Sequence, residues 1–168
     1  MRFDESSVAE KYDYVIFDCP PTLNLVTYNV LTLTKHLLIP CGMDLLSLAG
    51  VQTILENIAL IEKYFQRRPN ILGLLPTAYD QRTSISDDVM TELKKGEDQG
   101  LHLFQPIRID SKLKYAQVAG QTVFDFAPQS RASEDYLVLT KGILAKFKVS
   151  SKVKEKSKHT QREVEVRI

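Results

Sequence analysis

The stretch YDYVIFDCPPT, residues 12–22, decides how the rest of the chain is read. Val15, Ile16 and Phe17 are consecutive β-branched or aromatic residues, and Pro20-Pro21 stops the run abruptly. This pattern predicts a buried strand over Tyr14–Asp18. Its apolar positions are continuous rather than alternating, as in a parallel sheet covered on both faces. Three further runs read the same way: His36–Ile39 closed by Pro40, Asn70–Leu75 closed by Pro76, and a weaker one over Leu101–Ile107.

Helical periodicity fills the gaps. Leu23, Val26, Thr27, Val30 and Leu31 fall on one face after the double proline. Val51, Ile54, Leu55, Ile58, Ile61 and Phe65 form the longest stripe, with Ser47 as the expected N-cap. The segment from Ser86 opens on Asp87-Asp88, closes on Lys94-Lys95 and meets Gly96, the charge order that a helix dipole favours. Tyr136, Thr140, Ile143, Leu144 and Phe147 predict a last amphipathic helix. Strand and helix alternate four times, which specifies an α/β fold with right-handed crossovers.

Composition narrows the function classes. A chain of 168 residues suits one domain. No apolar stretch is expected to reach the roughly 18–20 residues of a membrane span, and the charged start carries no export signal. A cytoplasmic protein is the expectation. Cys19 and Cys41 each abut a proline and are read as reduced thiols; His36, His102 and His159 are scattered, so no metal cluster is expected. From Lys146 onward eight basic residues face three acidic ones, against fourteen and eighteen before it. Residues 1–148 are thus expected to form the domain, and 149–168 a basic, disordered tail. Lys146, Lys148, Lys152, Lys154, Lys156 and Lys158 either add phosphate contacts to DNA or form a solvated end. The tail has neither aromatic punctuation for single-strand stacking nor a bulky apolar face for a membrane.

Asp18 carries the sharpest chemical question. At the C-terminal end of a parallel strand it stands where α/β folds bind ligands. A carboxylate there either helps hold Mg²⁺, as in P-loop nucleoside triphosphatases, or caps the next helix.

Here the sequence resembles a known family. YDYVIFDCPPTLNLVTYNVLTLTKHLLIPC, then LAGVQTILENIALIEKYFQ, NILGLLPTAYDQRTSISDDVMTELKK and GQTVFDFAPQSRASEDYLVLTKGIL are similar, in order, to the ParA/Soj/MinD partitioning ATPases. The resemblance runs from about Tyr12 to Leu144, and several ordered motifs are more specific than one short pattern. It implies a three-layer, parallel-sheet P-loop fold, with ATP and Mg²⁺ as cofactors. It assigns Asp18 to the Walker B aspartate, and Pro20 and Pro21 to the loop that senses nucleotide state. Thr77 and Ala78 fall at the base pocket, and Ile107 and Arg108 in the second adenine-side loop. Lys112 and Arg131 fall where basic residues of ParA relatives grip DNA without sequence preference. The implied partners are a centromere-binding ParB-like protein, a full-length ParA-like protein or an N-terminal half, and nonspecific DNA, with no membrane.

Departures from the family pattern matter equally. Its phosphate loop, a KGGxGKT-type run, belongs about a hundred residues before the Walker B strand, and a G-x-x-x-x-G-K-[ST] run occurs nowhere in these residues. Only eleven residues precede Tyr12, so the N-terminal strand and phosphate loop are expected to be missing. Phosphoryl transfer depends on positioning and electrostatics, which an isolated Asp18 does not supply. The expected protein is a pseudo-ATPase or the C-terminal half of a split ATPase. The alternatives are a non-enzymatic regulator that binds DNA or a full-length relative, a decayed gene product, and an amide-forming enzyme of the same superfamily. Where the family commonly reads IPRDVRLAEAPSHGKT, residues 107–122 read IRIDSKLKYAQVAGQT: Arg108 replaces a proline, and Lys112 an arginine. The absent strand would lie between Tyr14–Asp18 and His36–Ile39. Either those strands close up and pair, or another polypeptide fills the slot, or the fold is poor; unpaired buried backbone groups cost about 1–3 kcal/mol each.

Overall fold

The computed structural model describes residues 12–20 and 22–147. Pro21 and the basic tail lie outside the described residues. In chain order the elements are α1 (Leu25–Leu33), β1 (His36–Gly42), α2 (Leu45–Phe65), β2 (Asn70–Thr77), α3 (Ser84–Lys95), α4 (Ser111–Val118), α5 (Val123–Phe126) and α6 (131–147). A 3₁₀ turn, Glu97–Gln99, follows α3.

Strands β1 and β2 pair in parallel, with His36 opposite Asn70 and Gly42 opposite Thr77. The register slips once, between Leu37 and Leu38, because Gly73 rather than Leu72 stands opposite Leu38. This bulge re-aims the side chains of β2. Ile71 and Leu74 face one side with Leu37, Ile39 and Cys41, and Leu72 and Leu75 face the other with Leu38. Two cores result. Val51 and Ile58 of α2, with Val89 and Leu93 of α3, pack on the first face. Tyr136, Leu139, Ile143 and Phe147 of α6 close the second, together with Phe104 and Ile107. The architecture is therefore α/β in three layers, as the apolar runs specify.

The weak fourth run lies alongside β2 without becoming a regular strand. Leu74 N donates to His102 O (2.8 Å), Phe104 N to Leu74 O (2.9 Å) and Ile107 N to Pro76 O (2.9 Å). Pairing is reduced to bridges at Leu103 and Arg108. Pro106, which has no N–H, falls in the gap between them.

Several expectations need correcting. Residues 14–20 form no strand among the described residues, and Tyr14, Val15 and Ile16 are exposed, Ile16 by 91%. An apolar run becomes a buried strand only when neighbouring strands take up its backbone groups, and among the described residues no strand pairs with 14–20. The flanking strands have not closed up; β1 remains the edge of the two-stranded sheet. Val26, expected on the buried face of α1, is exposed, whereas Thr27 and Leu31 are buried. Helix α2 starts six residues earlier than its stripe, and its N-cap is Asp44, not Ser47: Asp44 accepts from Ser47 N (2.8 Å) and Ser47 Oγ (2.7 Å). Phe65, counted in the stripe, is exposed. Helix α2 is also long and apolar enough, by length and composition, to cross a membrane, against the expectation that no stretch would be. Its polar residues are spread thinly, and in this fold Val51, Ile58 and Ile61 are buried. Helices α4 and α5 went unread, since their short runs show little periodicity.

Gly73 tests this account of the sheet. A Cβ there would lie 2.4 Å from His102 O and 2.8 Å from Phe104 Cε2. Gly73→Ala is expected to cost about 1–3 kcal/mol by overpacking, read as a lower urea midpoint with an unchanged m-value.

Candidate functional site

Strand ends, helix starts and the loops between them gather the implied residues into two groups. The first is built where β2 ends. Thr77 is half-buried and Ala78 exposed; Ala78 adopts a left-handed backbone conformation (φ 55°) that L-residues rarely take. The turn is held by its neighbours: Tyr79 N donates to Ile107 O and Ile109 N to Tyr79 O, both at 3.0 Å. Thr77-Ala78 and Ile107-Arg108, far apart in sequence, are thereby joined through the parallel bridge from Tyr79 to Arg108. Ile107 is buried in the core beneath them.

Arg108 does not extend freely. Its backbone N donates to Asp135 Oδ2 at 2.9 Å, Nε to the same oxygen at 3.0 Å and Nη2 to Asp135 Oδ1 at 2.6 Å. Nη2 also donates to Glu134 Oε2 at 3.0 Å. Asp135 is 2% exposed, so this is a charge removed from water and held by a bidentate cation, the arrangement a buried carboxylate requires. These carboxylates hold the guanidinium protonated far above its ordinary range.

The second group surrounds Asp110. Its Oδ1 accepts from Lys112 N (2.9 Å), capping α4, and its Oδ2 accepts from Ala132 N (3.2 Å) in the first turn of α6. Two helix starts thus share one carboxylate. Both backbone donors and the nearby charges of Arg131 and Lys112 hold that carboxyl below its usual range. Lys112 and Arg131 are exposed there, and Arg131 Nη2 reaches Ile109 O at 3.5 Å. A shallow hollow of about 400 Å³ is lined by Lys112, Ala127, Pro128, Gln129 and Ser130. An outward cationic face beside two helix starts is chemically suited to phosphate oxygens.

Asp18 and Pro20 stand apart from both groups, exposed on residues 14–20 outside the sheet, and Pro21 lies outside the described residues. Among the described residues the Asp18 carboxylate makes no hydrogen bond. The helix-cap reading of it fails, because Asn24 caps α1: Asn24 Oδ1 accepts from Thr27 N at 3.1 Å. Among the described residues no three His, Cys, Asp or Glu gather to hold a metal. Mg²⁺ commonly takes one or two carboxylates and completes its shell with phosphates and water, so Asp18 fits as one ligand of a nucleotide-borne ion. Cys41 is inert: burial, with the charge of Asp44, pushes its thiol up to about 11.

With this geometry in view, the comparisons are specific. A family model described as an AAA domain matches residues 4–71. The sporulation initiation inhibitor protein Soj of Bacillus subtilis (strain 168) is 34% identical over 140 residues, 83% of this chain and 54% of that protein. A ParA family protein of Chlamydia trachomatis is 37% identical over 141 residues, 83% of this chain and 53% of its own length. The chain belongs to the ParA/Soj/MinD family. Among solved structures, apo McdA of Cyanthece aligns with TM-score 0.72 at 20% identity, covering 83% of this chain and 56% of that one, which supports the P-loop fold. This ParA-family chain spans about half the length of the curated relatives it matches.

Asp110 and Asp135 hold these groups together, Asp44 caps α2 and Asp80 follows the Ala78 turn; none of the four is a candidate in the sequence analysis. Asp44 and Asp110 each precede a helix start, which is a usable signal. Asp135 has none, since its partner lies 27 residues away. Asp80, beneath the Ala78 turn, is held at about 2 by hydrogen bonds from Arg82. A carboxyl lowered on folding contributes stability above its unfolded value of about 4, lost as pH falls through about 2. Asp80→Asn should therefore flatten the decline in urea midpoint across that window, relative to the parent chain.

Proposed function

We propose that this chain carries the Walker B half of a ParA-type nucleotide-binding domain, working in DNA partition. Asp18 then serves as a ligand to nucleotide-borne Mg²⁺. Thr77, Ala78, Ile107 and Arg108 form the base side, with Pro20 and Pro21 in the loop that follows nucleotide state. Lys112 and Arg131 grip DNA phosphates. The phosphate loop comes from another segment, contiguous or separate, and these residues without it neither hold ATP nor hydrolyse it. ATP with Mg²⁺ supplies the switch between DNA-holding and released forms. The natural setting is the cytoplasm, at the nucleoid, with a ParB-like protein as the stimulating partner.

One observation carries this reading: the segment bearing Asp18 lies outside the sheet, and among the described residues β2 is the strand that pairs with β1. A strand inserted between that segment and the β1 edge would pair with both and bring Asp18 beside whatever follows that strand. Backbone amides of a phosphate loop have to be supplied there, because phosphates are cradled by such amides and not by a carboxylate. A regulator that docks on a full-length relative through the same edge is the second reading. Exposed Leu25, Val26, Leu45 and Leu46, at the starts of α1 and α2, favour it.

Calorimetry with Mg²⁺ and ATP separates these outcomes. The chain alone should give no heat, whereas the chain mixed with a segment bearing KGGxGKT should bind, and Asp18→Ala should weaken that binding at least tenfold. Micromolar binding by the chain alone overturns the proposal. For DNA, Lys112→Ala with Arg131→Ala should lower the salt slope of duplex retention by roughly 2, at about 0.9 per phosphate contact.

A further inference from the structure

The loop following the weak fourth run, 101–107, is sewn to α6 by consecutive residues. Arg108 binds Asp135 and Glu134, the Ile109 carbonyl takes Arg131 Nη2, and Asp110 accepts from Ala132 N. Residues 131 and 135 are one turn apart, so all these ties fall on one stretch of α6. The strongest of them is made at position 108, whose N–H and guanidinium both end on Asp135. A proline there would offer neither group and would leave Asp135 without its cation.

We infer that Asp135 is a positioning residue: through Arg108 it fixes loop 108–110 against the start of α6, and so sets Lys112 and Arg131 side by side as one phosphate-gripping pair. The inference rests on the reading of those two residues as DNA contacts. Three structural facts support it. Asp135 is buried and spends both its oxygens on Arg108. Arg108 is thereby withdrawn from the cationic face, which leaves Lys112 and Arg131 to present the charge. Asp110, next along the loop, is the shared cap of the two helices that carry them. If the loop slides, that cap opens and the two cations separate. The rigidity of this loop is thus supplied by an ion pair held out of water.

Amide hydrogen exchange and DNA retention on the full chain test this together. Asp135→Asn should speed exchange at least tenfold at residues 109–113 and 132–135, while the amides of β1, β2 and α2 keep their protection. The same variant should lower the salt slope of duplex retention toward that of Lys112→Ala alone. Arg108→Pro with Asp135→Ala should regain much of both, because the fixed backbone replaces the ion pair and no buried charge is left behind. Unchanged loop exchange in Asp135→Asn overturns the inference. So does exchange that rises everywhere at once, which would make Asp135 a general stability residue, and so does a loosened loop with undiminished retention. A parent chain that retains no DNA sinks the DNA reading of Lys112 and Arg131, while the exchange pattern still decides whether Asp135 holds the loop.

Discussion

Backbone groups buried in a sheet need partners, and among the described residues the pairing in this molecule is between β1 and β2 alone. The ladder between β1 and β2, extended by the bridges to Leu103 and Arg108, orients everything built outward from it. It fixes the two faces on which α2, α3 and α6 pack, and it brings the end of β2 beside residues 107–109. Toward the other edge no further strand is found among the described residues. Residues 14–20 hang beside a core that is otherwise formed, and the resulting asymmetry runs from backbone hydrogen bonding to chemistry. The groups on the paired side are positioned to within a hydrogen bond. Asp18, on the unpaired side, is not.

Much of the architecture was legible because burial on two faces writes itself into the sequence. The continuous runs at 36–39 and 70–75 became β1 and β2, each extending through its supposed terminating proline. The stripes at 51–65 and 136–147 became the two largest helices. The run at 14–17 carries the same signal and yet has no strand, since apolar periodicity reports what a segment is suited to, not whether its neighbour is present. The bulge at Gly73 was illegible: one glycine in an apolar run does not announce which carbonyl will crowd it.

The candidate site divides along similar lines. Thr77, Ala78, Ile107 and Arg108 were placed by family resemblance, and the structure joins them through one bridge. The residues that hold them in place are carboxylates with partners distant in the chain, and they leave no local pattern. Asp135 illustrates this best. Its burial is tolerable only because Arg108 arrives from a different element, a fact of tertiary packing.

The exposed strip from Tyr12 to Ile16 has a consequence for how copies of these residues meet one another. Exposed apolar segments rich in β-formers are seeds of self-association. Left uncovered, the strip is the place where one copy would adhere to the next, and a polypeptide that covers it removes that hazard.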